Sequence, residues 1–233
     1  MKKIFFCVVI LSVASSCLFS QSSNTLTPKE KKQGWRLLFD GKSTNGWTDT
    51  KGQEIKGGWD VSNGCITTII GESGGDIVTV DQFSDFDLRL DFKIEPGCNS
   101  GVKYFFTRYP TGGNLGMEYQ ILDDELAEDN KLETHLCGSF YDVITPVASK
   151  KKLNAPGEWN SIRIVSKGMK VQHWLNGKKI LQFTRGDKAF TDAVAKSKFS
   201  KTVPAFGTVE EGKILLQYHG GIVSFRNIKI KEL

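Results

Sequence analysis

Asn176-Gly177 stands between two runs of strand-forming residues, 171–175 and 178–183. Both turn residues tolerate positive φ, which the twist-matched two-residue hairpin turn demands. The pair therefore commits its surroundings to antiparallel sheet. Residues 159–165 before it, and 214–218 and 223–228 after it, read as further strands. Residues 86–94 alternate most strictly. Phe86, Leu88, Leu90, Phe92 and Ile94 point one way, while Asp87, Arg89, Asp91 and Lys93 point the other, toward what is expected to be plain solvent. Residues 102–106 and 117–122 add two more strands. Many short strands between Gly-rich turns predict an all-β sandwich or jelly roll.

A chain of 233 residues suits one large all-β domain or two small ones. Its apolar share of 39% and charged share of 24% are those of an ordinary globular protein. Lys2-Lys3 followed by the apolar stretch 4–13 reads as a secretory signal over residues 1–20, too short to span a bilayer. Ala14-Ser15-Ser16-Cys17 resembles a lipoprotein processing site, although Leu is usual where Ala14 stands. Cys17 would then be lipidated, giving a periplasmic or outer-membrane lipoprotein; ordinary cleavage near Ser20-Gln21 is the alternative. Either way the domain is expected to be exported. Without Lys2 and Lys3 the excess of cations over anions falls from five to three. No basic cluster is interleaved with aromatics along the chain, so no nucleic acid partner is expected. Lys150-Lys151-Lys152 reads as a solvated loop.

Residues 21–33 are polar and charged and read as a flexible tether, leaving a single domain over residues 34–233. Two stretches, 123–140 and 185–212, exceed ordinary hairpin loops and are expected to line a site; residues 189–196 within the second can form a short surface helix. Cys65, Cys98 and Cys137 are an odd set, allowing one disulfide at most. Their spacing fits no zinc pattern, and they read as small buried hydrophobes.

The residues that carry chemistry lie on polar faces of otherwise apolar strands. Gln217 and His219 share one face, with Ile214, Leu216 and Tyr218 on the other. Glu118 and Gln120 also share a face, about 7 Å apart by strand rise. A carboxylate and an amide there suit sugar hydroxyls; an exposed edge strand is the competing reading. Of the acidic run Asp123, Asp124, Glu125, Glu128 and Asp129, only Asp123 is placed to enter a site. His219, before Gly220-Gly221, is the best candidate for proton transfer among three scattered histidines. Trp47, Trp59 or Trp174, if exposed, would be platforms for sugar stacking. Asp76, Glu118, Asp123 and His219 carry ligand atoms for a divalent cation such as calcium, although no spacing requires one.

Taken in order, a set of short motifs carries a resemblance. They are Leu38-Phe39-Asp40-Gly41-Lys42 with Gly46-Trp47, Asn99-Ser100-Gly101-Val102, Glu118-Tyr119-Gln120-Ile121-Leu122-Asp123, Gly138-Ser139-Phe140-Tyr141-Asp142, Trp174-Leu175-Asn176-Gly177 and Phe225-Arg226-Asn227-Ile228. From residue 34 to 233 the chain resembles the bacterial 3-keto-disaccharide hydrolase family, frequent in Bacteroidetes-type glycan degraders. The resemblance implies a concanavalin A-like jelly roll of two antiparallel sheets. It also implies cleavage of glycosides already oxidised at C3 by a partner sugar 3-dehydrogenase, through base-assisted elimination and hydration. A non-catalytic carbohydrate-binding module on the same sandwich is the alternative. Carried over by motif, the site would draw on Asp76, Asn99, Glu118, Gln120, Asp123, Tyr141, Gln217, His219 and Arg226. Glu118 or His219 is expected as base, with the other or Arg226 stabilising the enolate oxygen. The family often has Gln-Asp-His-Gly near the C-terminus; here Tyr218 stands in the Asp position.

Overall fold

The structure is a computed structural model and describes residues 23–72, 74–109, 113–201 and 205–233. The signal segment and Cys17 lie outside the described residues. A short helix, α1 (Pro28–Lys32), precedes β1 (Arg36–Leu37), β2 (Trp47–Asp49), β3 (Trp59–Ser62), β4 (Cys65–Thr68) and β5 (Ile77–Thr79). The long strands β6 (Phe86–Ile94), β7 (Asn99–Tyr109) and β8 (Gly113–Leu122) follow. After a loop excursion come β9 (Asn160–Lys167), β10 (Lys170–Leu175), β11 (Lys178–Thr184), helix α2 (Lys188–Lys196), β12 (Lys213–Leu216) and β13 (Val223–Glu232).

These strands form two antiparallel sheets. The larger runs β11-β10-β9-β6-β13-β4-β3, with β1 also on β13; the smaller runs β2-β5-β12-β7-β8. Packed face to face they make the sandwich that the alternating strands imply, in the concanavalin A-like jelly-roll form that the family resemblance implies. The β10–β11 turn is the expected one, with Asn176 at φ 46° and Gly177 at φ 78°. Inward residues of β6, from Phe86 to Ile94, are at most 3% exposed and meet Val102, Tyr104, Met117, Tyr119 and Ile121 from the facing sheet. Burying rings of this size supplies roughly 2–3 kcal/mol each. Polar links also cross between the sheets: the Tyr119 hydroxyl donates to Trp174 O at 3.3 Å, and deeper in, the Tyr104 hydroxyl lies 2.9 Å from His173 Nε2, whose Nδ1 lies 3.0 Å from Gly138 O. Burial pushes His173 down to about 4, against the Gly138 carbonyl's opposing pull.

The structure departs from the sequence reading in several places. The expected tether is docked: Asn24 and Asn227 exchange backbone-to-side-chain bonds of 2.7 and 2.8 Å, and Thr27 with Glu30 forms a capping box on α1. The face of β6 expected to meet plain solvent is an ion-pair ladder. Asp87 is only 4% exposed and accepts from both Arg163 and Arg89. Trp47 and Trp59 are buried, their indole N–H groups donating to Leu38 O and Gly75 O, so neither is a platform. Lys151 pairs with Asp124 rather than standing in solvent. Cys98 and Cys137 are buried free thiols, while Cys65 is half-exposed. Helix α2 forms, capped by Asp187, because Phe190 and Val194 reach the core.

Candidate functional site

Register on the smaller sheet sets out the site. Lys103 pairs with Glu118 and Gly101 with Gln120 across β7 and β8, while Leu215 of β12 pairs with Lys103. Gln217 continues the row beyond β12, its N–H donating to Gly101 O at 2.9 Å. Side chains alternate, so Glu118, Gln120, Lys103 and Asn99 all face away from the core. Gly101 leaves the room that Glu118 uses. A Cβ there would stand 2.3 Å from Glu118 Oε1. The carboxylate folds over the bare glycine, 3.6 Å from Lys103 Nζ, with 8% of its side chain exposed. Turned so that both its ends find partners, the Gln120 amide donates to Ser100 O at 3.1 Å and Glu118 Oε1 at 3.2 Å, 3.3 Å from the Asn99 amide. Gln217 Oε1 is buried with no hydrogen-bond partner among the described residues.

Asn99 opens onto a cleft of about 610 Å³, lined also by Gly97, Glu128, Asp129, Tyr141, His219 and the Gly220-Gly221 pair. Its wall comes from the first long loop and the residue after it, through Glu128, Asp129 and Tyr141, and from the β12–β13 connection, through His219 and the two glycines; the second loop contributes no lining residue among those described. Tyr141 N donates to Glu118 O, fastening the first loop to β8, and the Tyr141 hydroxyl donates to Asp129 Oδ2 at 2.8 Å. Behind Tyr141, the His135 ring lies 4.6 Å away; its nitrogens stand 2.8 Å from Asp129 Oδ1 and 2.9 Å from Asp142 Oδ1. Asp142 Oδ2 accepts from Lys198 N at 2.7 Å, which ties in the second loop, and Lys198 Nζ sits 4.3 Å from the Tyr141 ring centre.

Electrostatics follow from burial. Loss of water holds Glu118 above the usual carboxylate range, only partly countered by the Lys103 and Lys198 charges and aided by Asp76. Burial, then the Asp129 hydrogen bond and nearby carboxylates, push Tyr141 up, so its hydroxyl keeps its proton. The site thus pairs a buried carboxylate with a retained phenolic proton, two cations and unfilled amide capacity. That set can move a proton on a polar ligand and steady negative charge.

Of the sequence candidates, Asn99, Tyr141 and His219 line the cleft, with Gln120 and Glu118 one contact behind and Gln217 in the same row. Asp76 lies at the edge, its Oδ1 accepting from Tyr218 N. Tyr218 turns away, its hydroxyl donating to Ile69 O and Glu72 O. Two candidates do not join. Asp123 caps a turn, accepting from the N–H groups of Gly97, Glu125 and Leu126; burial raises it, but these three bonds leave it below its ordinary value. Arg226 is on the outer face of the other sheet, against Asp91 and 3.9 Å from the Trp159 ring centre, so it cannot serve the enolate. With Asp123 so committed, the four residues suggested for calcium do not assemble, and among the described residues no group of three His, Cys, Asp or Glu gathers as a metal site would need. Sequence reasoning passed over Lys103, Asp129, His135, Asp142 and Lys198. Lys103 stands two residues after Gly101, a spacing that places both on one face; the loop residues carry no such signal.

Residues 34–231 match the family model of the 3-keto-alpha-glucoside-1,2-lyase-like domain. A 3-keto-disaccharide hydrolase of Bacteroides thetaiotaomicron is 33% identical over 230 residues, which is 86% of this chain and 79% of that one. A candidate glycosyl hydrolase of Parabacteroides distasonis, solved by crystallography, superposes with a TM-score of 0.81 at 34% identity, over 91% of this chain and 100% of its own. A second from the same species reaches 0.64 at 28% identity, over 85% and 99%. A galectin-like protein of Bacillus subtilis, at 12% identity and a TM-score of 0.50 over 91% and 95%, shares the fold alone.

Proposed function

Because the chain belongs to the 3-keto-alpha-glucoside-1,2-lyase-like family, a carbohydrate hydrolase in type, we propose that it cleaves glycosides already oxidised at C3, with Glu118 as the base. The observation that carries this reading is the buried, raised carboxylate of Glu118 beside Lys103, next to a polar cleft. A base with a raised value is matched to proton abstraction near neutral pH. A ketone at C3 acidifies the C2 proton. Glu118 takes that proton, the C2 electron pair delocalises onto the C3 oxygen, and the enolate then expels the aglycone from C1, leaving a C1–C2 double bond. Lys103 and Lys198 supply positive charge for the enolate oxygen. Tyr141, which holds its proton, gives it to the departing oxygen. Water adds to C1, its spare proton passing to the Tyr141 phenolate, and the Glu118 carboxyl, which exchanges with solvent while the aglycone leaves, protonates C2, so the sum is hydrolysis. His219, exposed at the rim, contacts the sugar rather than the reacting carbon. Two flanking carboxylates at glycosidase spacing are not needed.

The binding-module alternative loses two of its three candidate platforms, with Trp47 and Trp59 in the core; Trp174 is half-exposed, but on the sheet opposite the Glu118 cleft. Substrate would be supplied by a 3-dehydrogenase acting on the sugar beforehand, and the domain would work after export, with Cys17 as an anchor. The test is aglycone release from a panel of 3-keto glucosides and their unoxidised parents, with and without chelator. Release from the oxidised set alone, abolished in Glu118→Gln, is expected. Equal release from both sets, or saturable binding without release, would overturn the reading.

A further inference from the structure

The outer face of the larger sheet concentrates positive charge that no stretch of sequence announces. Beyond Arg89, Arg163, Arg226 and Lys229, the outward positions of β6, β9, β10, β11 and β13 carry Lys93, Lys167, Lys170, Lys179 and Lys231. Against them stand Asp87, shared by two arginines, Asp91 and, on the far edge strand β3, Asp60; Glu30 reaches over from α1 to Lys229. Glu232, at the sheet's end, faces Arg36. None of the five lysines just named is ion-paired among the described residues, although the whole chain exceeds neutrality by only five. The cations interleave with tryptophan. Arg163 lies 5.1 Å from the ring centre of the half-exposed Trp174 and Lys93 5.4 Å from that of the half-exposed Trp159, while Arg89 covers the buried Trp35 at 4.4 Å. Between them runs an open cleft of about 400 Å³.

The chain enters the fold on this face. Thr25 lines the cleft and Asn24 is bonded to Asn227 of β13. From Cys17 to Asn24 is seven residues, at most about 25 Å when extended. We propose that this basic, tryptophan-bearing face lies against an anionic lipid surface, which turns the Glu118 cleft on the opposite sheet toward solvent. Surface lysines and arginines are attracted to anionic headgroups through screened Coulomb forces, and tryptophan favours the headgroup region. The charge excess calls for a polyanionic partner, and the point of chain entry on this same face favours a bilayer over a freely diffusing one. The inference shares the export reading but does not depend on the reaction at the cleft.

The test uses the full chain on vesicles of phosphatidylglycerol with phosphatidylcholine, or phosphatidylcholine alone, with lysine acetylation read by mass spectrometry. Severalfold protection of Lys167, Lys170 and Lys231 on the anionic vesicles, lost at high salt, is expected. Lys51 and Lys56, exposed on the β2–β3 loop, should label equally throughout. Equal labelling of the face lysines on both vesicles would overturn the proposal. So would protection of Lys51 and Lys56 to the same degree, or protection by a soluble polyuronate but not by vesicles. The last result would assign the face to an acidic glycan.

Discussion

Glu118 depends on what Gly101 lacks. With a Cβ at 2.3 Å from Oε1, Gly101→Ala forces the carboxylate off its seat while leaving the strand pairing intact. A displacement of about 1 Å at a catalytic group costs up to roughly a hundredfold in rate. We expect Gly101→Ala to lose between about tenfold and a hundredfold in kcat/KM while unfolding in one cooperative transition, measured by steady-state kinetics beside urea denaturation. The sign of the pH effect follows from burial. Glu118 acts as base only when ionised, and its value is raised. The acid limb of kcat/KM should therefore fall at a higher pH than an ordinary carboxylate would give, and a profile with an unperturbed limb would remove Glu118 from the role. At this scale the sequence showed which strand face each candidate occupies, because alternation is local. It did not show that Asp123 turns back to cap its own loop, since a short acidic residue at a strand end serves either purpose. Nor did it show that Arg226 sits on the wrong sheet, since period-two patterning does not say which sheet a strand joins.

At the scale of elements, the two long loops are joined through one histidine and one aspartate. His135 bridges Asp129 and Asp142, and Asp142 receives the Lys198 N–H from the second loop. Removing this partly buried bridge takes one partner from each carboxylate, at about 1 kcal/mol each, while Asp129 keeps the Tyr141 hydroxyl and Asp142 keeps the Lys198 N–H. His135→Ala should speed limited proteolysis within residues 123–145 and raise KM, while the far-ultraviolet spectrum stays that of a sandwich. Unchanged proteolysis would mean the loops are held by their apolar contacts instead. The first loop lines the cleft as its length led us to expect, whereas the second, longer still, only braces that wall from behind through Lys198. Their inward residues were not legible, because no periodicity orders a loop, and Asp129 rather than Asp123 turned out to face the cleft. The hairpin at Asn176-Gly177 and the strand at β6 were legible because local turn chemistry and alternation suffice for them. Docking of residues 24–33 was not, because the bonds to Asn227 cross almost the whole chain.

Across the whole molecule, His173 links the two sheets as a neutral imidazole. Its value falls from 6.5 to about 4 on folding, so below pH of about 6.5 the unfolded chain takes up a proton that the folded one refuses. Stability is therefore full above that pH and declines as pH drops toward about 4, by on the order of 3 kcal/mol. Urea midpoints compared at about pH 7 and about pH 4.5 should show this loss, and His173→Gln should flatten it. An unaltered slope in the variant would place the acid sensitivity elsewhere. The chemistry on the smaller sheet rests on proton abstraction from C2, and one measurement addresses it directly. A 3-keto glucoside is cleaved in deuterium oxide, and the released 3-keto sugar is examined for deuterium at C2 against an enzyme-free control. Elimination and hydration require deuterium at C2 at the first turnover, absent with Glu118→Gln. Release of the aglycone with hydrogen retained at C2 would mean direct displacement at C1 and would contradict the role assigned to Glu118.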